Sequence, residues 1–337
     1  MNRFPTHHVE HDPGVAWRKD ARPAIDAPPD TDPAPDAAAV WDPGAPRTGI
    51  CGAVTPNVVG LPDGAYRMYY TQILPRPGHP GGANDYSHAT TRILSATSAD
   101  TVTWTLEPGV RLAPQAGGAG DSRVVSPDVV ALPEGGWRMY YECCPGTQAE
   151  GASIRSARSA DGLEWVVEPG HRMEDGNLSA PRALHLHDTV WRLYASERGV
   201  GIVSALSEDG GLTFRREPGV RLRMGELTHE RQSAFAPEVL QLAAGAYRMY
   251  YAGYQSSERA CVLSATSPDG LVWTKHPEPV VAPGGPLDAA KCSEMCVIRA
   301  PVGPGQTARY RLFYEACDGT AVGARGVWRI LSATSTP

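Results

Sequence analysis

Hydrophobic and polar residues alternate with a period of two along much of the chain, in short runs that are separated by turns. One such run reads YRMYY at 247–251, and a second reads VLSAT at 262–266 after a loop. Alternation with aromatic and β-branched residues, bounded by Gly and Asp turns, is typical of antiparallel strands. The region 235–273 therefore predicts a β-meander.

This pattern occurs five times, which decides the architecture before any single residue does. The central strand of the copies reads YRMYY at 66–70, WRMYY at 137–141, WRLYA at 191–195, YRMYY at 247–251 and YRLFY at 310–314. A strand that typically contains Ser-Ala follows each copy, and a fourth strand starts at an aromatic residue in four of them, namely Trp104, Trp165, Phe214 and Trp273. Repeated four-stranded units predict an all-β fold, a five-bladed β-propeller with four-stranded antiparallel blades.

The fifth copy lacks its fourth strand, and the N-terminus offers a replacement. The segment HDPGVAW at 11–17 resembles the turn SPDGLVW at 267–273. We expect an N-terminal strand at about 14–20, around Trp17, to complete the last blade and close the ring. The chain 1–337 is then a single domain, with an irregular segment at 21–46 and blades at about 47–337.

Composition narrows the class of partner and the compartment. The net charge of −6 with interspersed signs disfavours nucleic acids and anionic membranes as partners, and no apolar stretch approaches the length of a membrane span. The N-terminus lacks the apolar region of a signal peptide, and seven cysteines fit reduced thiols better than a disulfide framework. We expect a cytoplasmic protein, and the bias toward Ala, Pro, Gly and Arg indicates a bacterial source.

The repeats also separate structural residues from functional ones. The arginine of the central strand is present in all five copies, so we expect it to be structural: Arg67, Arg138, Arg192, Arg248 and Arg311. The slot two residues after the start of the first-strand motif differs in every copy, holding Asn57, Asp128, Arg182, Glu238 and Cys296. Equivalent slots of a propeller meet near the axis, so these unlike side chains are expected to share one site.

Carboxylates converge on this expected site from several copies. Neighbouring carboxylates push their pKa values apart, which suits one as an acid and another as a base or nucleophile, as glycoside hydrolysis requires. The candidate catalytic residues are Asp128, Glu238, Glu294 and Glu230, and the candidate substrate-binding residues are Asn57, Arg182, His229, Arg123, Arg231, Glu142 and Glu315. The alternative is a structural salt-bridge network of Arg182, Asp128 and Glu238 that plugs the channel.

A metal site is a weaker interpretation, and no cofactor is expected. Cys292, Cys296 and His229 could gather around a soft metal, but an i, i+4 spacing on an extended strand does not aim two thiols at one point. The glycines lie at turns and do not form a phosphate-binding loop. The expected partner is a small sugar-like molecule.

Several motifs resemble a known group of enzymes. The five copies, the x-Pro-x-Val first strand and the aromatic-Arg-x-Tyr-Tyr central strand resemble the five-bladed propellers of glycoside hydrolase families 43, 32, 68 and 130. The Ser-x-Asp-Gly turns also resemble the Asp-box of sialidases. Within family 43 the resemblance makes Asp128, in SPDV at 126–129, the tuning aspartate. The positions of the family's base and acid fall on Thr55 and on Ser179 or Ala180, which are not carboxylates.

These observations lead to one main hypothesis and two alternatives. The main hypothesis is a carbohydrate-active, glycosidase-like enzyme that acts on a small polar hydroxylated substrate by carboxylate acid/base chemistry in the propeller funnel. In it, Asp128 tunes or acts as base, Glu238 or Glu294 donates the proton, and Arg182 with Asn57 holds substrate oxygens. One alternative is a non-hydrolytic lyase or cyclase of secondary metabolism, and the other is a binding propeller without catalysis.

Overall fold

The chain forms an all-β structure, as the alternation predicts. The computed structural model describes residues 7–26, 50–75, 89–114, 123–144, 151–173, 177–301, 309–320 and 326–336. Most of the predicted irregular segment, residues 27–46, lies outside the described residues. Within the described part, helical structure is confined to one short 3-10 turn, Thr228–Glu230.

Most of the strands form five consecutive antiparallel meanders. Two short N-terminal strands come first, β1 (His8–Val9) and β2 (Trp17–Lys19). The first meander consists of β3 (Ile50–Gly60), β4 (Tyr66–Pro75), β5 (Ala89–Ser98) and β6 (Thr105–Leu106), and the second of β7 (Arg123–Ala131), β8 (Trp137–Cys144), β9 (Ser153–Ser159) and β10 (Val166–Val167). The third contains β11 (Leu178–His187), β12 (Val190–Glu197), β13 (Gly201–Ser207), β14 (Arg215–Arg216) and β15 (Leu222–Arg223). The fourth contains β16 (Ser233–Leu242), β17 (Tyr247–Ser256), β18 (Arg259–Ser267) and β19 (Thr274–Lys275), and the fifth β20 (Lys291–Ala300), β21 (Arg309–Cys317) and β22 (Gly326–Ser335).

The N-terminal strand β2 completes the fifth meander. It pairs antiparallel with β22, with Trp17 opposite Ser335 and Lys19 opposite Ala333. The preceding turn packs against the fourth meander, where the Tyr250 hydroxyl donates to the Gly14 carbonyl at 2.7 Å. The turn therefore occupies the place of the turn between the third and fourth strands of the other meanders, and β2 occupies the place of the fourth strand.

In each of the first three meanders, an arginine and a tyrosine of the central strand link it to the next meander. Arg67 pairs with Glu107 of its own meander at 2.8 Å, and its other nitrogen donates to the Asp161 carbonyl of the next meander at 3.0 Å. The Tyr69 hydroxyl donates to the adjacent Gly162 carbonyl at 2.9 Å. Arg138, Arg192 and their tyrosines repeat this arrangement. Because these polar groups are buried and satisfied, the arginine has the structural role that its presence in every copy predicts.

The hydrophobic core lies between the faces of consecutive meanders. One cluster joins Val59 and Tyr69 of the first meander to Val129 and Met139 of the second. The Tyr69 ring meets the Trp165 ring edge to face, with centroids 5.8 Å apart, an arrangement that adds to simple burial. Within the described residues, no helix is long and apolar enough to cross a membrane.

Candidate active site

A β-bulge interrupts the first strand of each meander at the same place. The register shifts between Val54 and Asn57, Val125 and Asp128, Ser179 and Arg182, Phe235 and Glu238, and Ser293 and Met295. In four meanders the residue before the bulge proline has a positive φ, from 48° at Ala180 to 54° at Thr55. Such backbone costs free energy and persists where it re-aims side chains. On one side of the bulge the strand contributes a residue to a central ring, and on the other side it approaches a cavity; both are described below.

The central ring contains the five unlike residues Asn57, Asp128, Arg182, Glu238 and Cys296, and each is at most 4% exposed. The Asn57 amide donates to Asp128 Oδ1 at 3.2 Å. Arg182 Nε donates to Glu238 Oε2 at 2.9 Å, and a second Arg182 nitrogen lies 4.0 Å from Asp128 Oδ1. The sequence therefore predicts correctly that these residues lie together.

Backbone donors from neighbouring meanders join the ring into a circuit. Four ring residues each accept one N–H, from Val129 to Asn57 (3.0 Å), from Ala183 to Asp128 (2.6 Å), from Val297 to Glu238 (3.0 Å) and from Val58 to Cys296 (3.3 Å). The fifth residue, Arg182, donates to Glu238 instead. Burying a charge without such partners costs several kcal/mol. The polar groups of the ring residues are therefore occupied by hydrogen bonds with one another and with the backbone.

A cavity of about 570 Å³ lies beside the bulges and the ends of the central strands. Its lining includes Glu142, Glu294 and Glu315, together with Lys291 and the aromatic side chain of Trp328. None of the five ring residues contributes to this lining. Of the residues that the sequence analysis selects for catalysis, Glu294 therefore borders the cavity, whereas Asp128 and Glu238 belong to the ring.

Glu294 is the bulge residue of the fifth meander and is 6% exposed. Its Oε2 accepts from the Ser126 hydroxyl at 3.0 Å. Burial raises the pKa of Glu294 well above its usual range, and repulsion from Glu315 and Glu142 adds to this effect. The three carboxyl groups therefore interact, and Glu294 keeps its proton to a higher pH than an isolated glutamate does.

Glu315 lies two residues before the end of the central strand of the same meander and accepts hydrogen bonds from donors on two sides. Oε1 accepts from the Ser293 hydroxyl at 2.6 Å, and Oε2 accepts from the Thr55 N–H at 3.1 Å. Burial raises the pKa of Glu315 to about 7, while these hydrogen bonds and the charge of Lys291 oppose the increase. This carboxyl thus ionises near neutrality.

Glu142 occupies the equivalent position in the second meander. Oε1 accepts from the Cys144 thiol at 3.1 Å, and Oε2 accepts from the Ala180 N–H at 3.3 Å. Burial raises the pKa of Glu142, and the positive charge of Arg123, itself fully buried, acts in the opposite direction. Arg123 thus supports a cavity carboxylate, although its side chain does not line the cavity.

Three other selected residues lie apart from the cavity lining. Glu230 is fully buried, pairs with Lys275 and accepts from the Tyr251 hydroxyl at 2.8 Å. His229 lies on the same 3-10 turn and borders a smaller cavity, and Arg231 is exposed. The structure does not bring these residues to the three glutamates.

The two thiols proposed as weak metal ligands lie in different surroundings. Cys296 belongs to the ring, whereas the Cys292 thiol donates to Asp288 Oδ2 at 3.5 Å. In the part of the chain that the structure describes, no three His, Cys, Asp or Glu side chains are grouped as metal ligands.

One further lining residue, Trp328, is distinguished from its equivalents in the sequence. Trp328 replaces Thr, Ala, Val and Ala at the equivalent slot of the other copies, positions 91, 152, 200 and 260. The Lys291 ammonium lies 5.5 Å from the centre of its ring, within the range of a cation–π contact. A residue type unique to one copy marks the cavity here, as it does for Glu294.

Comparison with known proteins places the fold. No protein-family model and no curated protein matches the sequence. A thermostable family 43 glycoside hydrolase superposes with a TM-score of 0.66 at 15% identity, covering 87% of this chain and 92% of the other. A family 130 structure, reported with glycoside hydrolases that target beta-1,2 mannosidic linkages in Candida mannan, gives 0.69 at 14% over 98% and 97%. A glycosyl hydrolase from Bacteroides ovatus gives 0.67 at 12% over 96% and 94%. The chain has the β-propeller fold of these enzymes, which confirms the resemblance predicted from the sequence.

Proposed function

We propose that the protein is a glycosidase-like enzyme that cleaves a sugar substrate in the cavity by carboxylate acid/base chemistry. The observation that carries this proposal is the convergence of Glu142, Glu294 and Glu315 on one cavity. Burial raises the pKa of Glu315 to about 7, and burial together with repulsion from Glu315 and Glu142 raises that of Glu294 well above its usual range. Carboxyl groups with separated pKa values are what an acid and a base or nucleophile require.

The proposed roles follow from the surroundings of each carboxyl group. Glu294 donates its proton to the glycosidic oxygen as the bond to the anomeric carbon breaks. Glu315, ionised above its pKa of about 7, either activates the attacking water or attacks the anomeric carbon itself. Glu142 accepts hydrogen bonds from substrate hydroxyls. Asp128 and Glu238, the other catalytic candidates in the sequence, take a structural role in this proposal.

The hydrogen bonds of the central ring also support a more specific description of the fold. We infer that the five meanders are the blades of one ring in a single domain, because the hydrogen-bond circuit of the central residues passes through all five and returns to the first. None of the six cysteines whose side chains the structure describes forms a disulfide, which supports a cytoplasmic location.

The test compares cavity and ring carboxylates. Aryl glycosides and reducing oligosaccharides are screened with the wild type, and the hydrolysed substrate is then assayed with Glu294→Gln, Glu315→Gln and the matched ring variant Asp128→Asn. We expect the cavity variants to lose at least 100-fold in kcat, as is usual for general acid–base groups, with their fold retained. Asp128→Asn should lose stability while its folded fraction keeps kcat.

Other outcomes separate the alternatives. Loss of kcat in folded Asp128→Asn, with activity retained in Glu294→Gln, would indicate that the catalytic carboxylates are those of the ring. A product formed without incorporation of oxygen from labelled water would indicate a lyase or cyclase. Binding of a sugar with no turnover by the wild type would favour a binding propeller.

The pH dependence gives an independent prediction. Activity should rise with pH through the pKa of Glu315, about 7, because its carboxyl must be ionised, and it should fall at higher pH where Glu294 loses its proton. A profile of kcat/KM against pH at fixed ionic strength checks this. An optimum below pH 5 would contradict the assigned roles.

A further inference from the structure

The three cavity carboxyl groups are all buried, so their environment must supply a difference before one can donate a proton and another accept it. Glu315 and Glu294 lie on adjacent strands of the fifth meander. Ser126 donates to Glu294, and Ser293 with the Thr55 N–H donates to Glu315. The cation Lys291 borders the same cavity as both carboxyl groups.

The register of β20, β21 and β22 fixes which carboxyl group Lys291 faces. Lys291 lies opposite Cys317, and Cys317 lies opposite Trp328, so these residues form one row across the sheet. Ser293 and Glu315 form the next row, two residues along the strand and on the same face. Diagonal neighbours of this kind are within reach of a long side chain. The ammonium lies 5.5 Å from the centre of the Trp328 ring, which holds it on this face.

We propose that Lys291 is the positioning residue that selects Glu315 as the ionised carboxylate of the site and so leaves Glu294 to carry the proton. This inference rests on the proposed function and goes beyond it, because it names Lys291 as the reason why Glu315 is the ionised group and Glu294 the proton donor. The cation lies one row from Glu315 on the same face of the sheet and favours its charged form, and the negative charge that results favours the protonated form of the neighbouring Glu294.

The other titratable groups around Glu315 do not supply this difference. On β20, Glu294 carries a negative charge when ionised and opposes ionisation of Glu315. On β21, the Cys317 thiol is buried, and burial raises its pKa to about 11, so it is neutral when Glu315 titrates. Glu142, from the second meander, acts on Glu294. Lys291 is the cation whose charge favours ionised Glu315.

The experiment replaces Lys291 by Met, which keeps the apolar contact with Trp328, and by Arg, which keeps the charge and can stack on the ring. Titration of Glu315 is followed by ¹³C NMR of the side-chain carboxyl carbon in glutamate-labelled protein, with Glu315→Gln identifying the resonance. We expect the midpoint of Glu315 to rise by about one pH unit in Lys291→Met and to stay near the wild-type value in Lys291→Arg. The acidic limb of the kcat/KM profile should move by the same amount.

The two readouts separate failure of this inference from failure of the proposed function. An unchanged midpoint in folded Lys291→Met overturns the inference whether or not a glycoside is hydrolysed. A shifted midpoint with an unshifted acidic limb also overturns it, because Glu315 would then not be the ionised partner. An increase in KM with no shift in either readout would make Lys291 a substrate ligand. If no glycoside is hydrolysed, the proposed function fails, and the NMR midpoint still decides the coupling.

Discussion

Replacing Glu315 by Gln should stabilise the protein at neutral and alkaline pH while abolishing its activity. Glu315 is 4% exposed, and burial raises its pKa from 4.5 to about 7. The unfolded chain releases this proton near pH 4.5, but the folded protein holds it to about pH 7. The contribution of Glu315 to stability is therefore fully present below pH 4.5, where both states are protonated, and it is lost as the pH rises through 7, because between these values folding must take up a proton.

The magnitude follows from the two pKa values. A difference of about 2.5 pH units corresponds to about 3 kcal/mol, since one unit is worth about 1.4 kcal/mol. Gln stays neutral at every pH and avoids this loss. Its oxygen can accept from the Thr55 N–H, and its amide can donate to the Ser293 hydroxyl, so both hydrogen-bonding neighbours keep a partner.

The assay is urea-induced unfolding of the wild type and Glu315→Gln between pH 4.5 and 8 at constant ionic strength. We expect equal free energies of unfolding near pH 4.5 and an advantage of about 3 kcal/mol for the variant at pH 8. For a chain of this length, that corresponds to a melting temperature about 4 °C higher. Glu164→Gln, at an exposed position, is the matched control and should show no such difference.

Two outcomes would refute this reasoning. A difference between wild type and variant that is the same at pH 4.5 and pH 8 would show that the carboxyl group does not titrate near neutrality. A variant that is less stable at pH 8 would show that hydrogen bonds to the ionised form, and not burial, dominate at Glu315. Either result would also remove the basis for the pH–activity profile proposed above.

Two further predictions concern the ring and a close backbone contact. Glu238→Ala should destabilise the protein by about 3–5 kcal/mol in urea unfolding, because it leaves the buried guanidinium of Arg182 without its carboxylate; a loss below about 1 kcal/mol would show that the ring is not cooperative. Gly201→Ala should destabilise strongly, with a melting temperature several degrees lower, because at φ 130° its Cβ would lie 2.0 Å from the Leu222 carbonyl oxygen. Gly199→Ala is the control, because φ is positive there too but no atom would lie within 4 Å of the added Cβ. Equal losses of stability in the two variants would make backbone strain the sole cause.

The repeats made the strands predictable, because each copy repeats the same alternation. The central strands expected at 66–70, 137–141, 191–195, 247–251 and 310–314 lie within β4, β8, β12, β17 and β21. The N-terminal strand expected at about 14–20 is found as Trp17–Lys19 beside the last meander. Such pairing follows from repetition, since a copy that lacks its fourth strand leaves an unpaired edge.

The location of the chemistry was only partly predictable. Variation among copies identified both the ring and the cavity glutamates, but it could not separate them. Asp128 and Glu238 meet donors from the next meander, a contact between residues distant in sequence that no spacing reveals. Glu294 lies two positions before Cys296 of the ring, and because Glu294 is itself the bulge residue, its side chain borders the cavity. A bulge changes side-chain direction without a distinctive sequence.

The last meander departs from the repeat where the cavity needs it. In four copies the bulge slot holds a Thr, Ser or Ala with positive φ before a proline, whereas the fifth has Glu294 before Met295, and Glu294 is not among the positive-φ residues. A single-residue bulge without the strained conformation thus presents a long carboxylate.

The strand that closes this meander also supports the site. Lys19, on β2, pairs with Asp288, which accepts from the Tyr314 hydroxyl at 3.0 Å. Tyr314 immediately precedes Glu315 in β21, so the N-terminal strand reaches the cavity carboxylate through two polar contacts. Buried polar contacts of this kind fix side-chain positions because breaking one leaves its partner unsatisfied. The N-terminal strand therefore helps to anchor the central strand of the last meander at the residue next to Glu315.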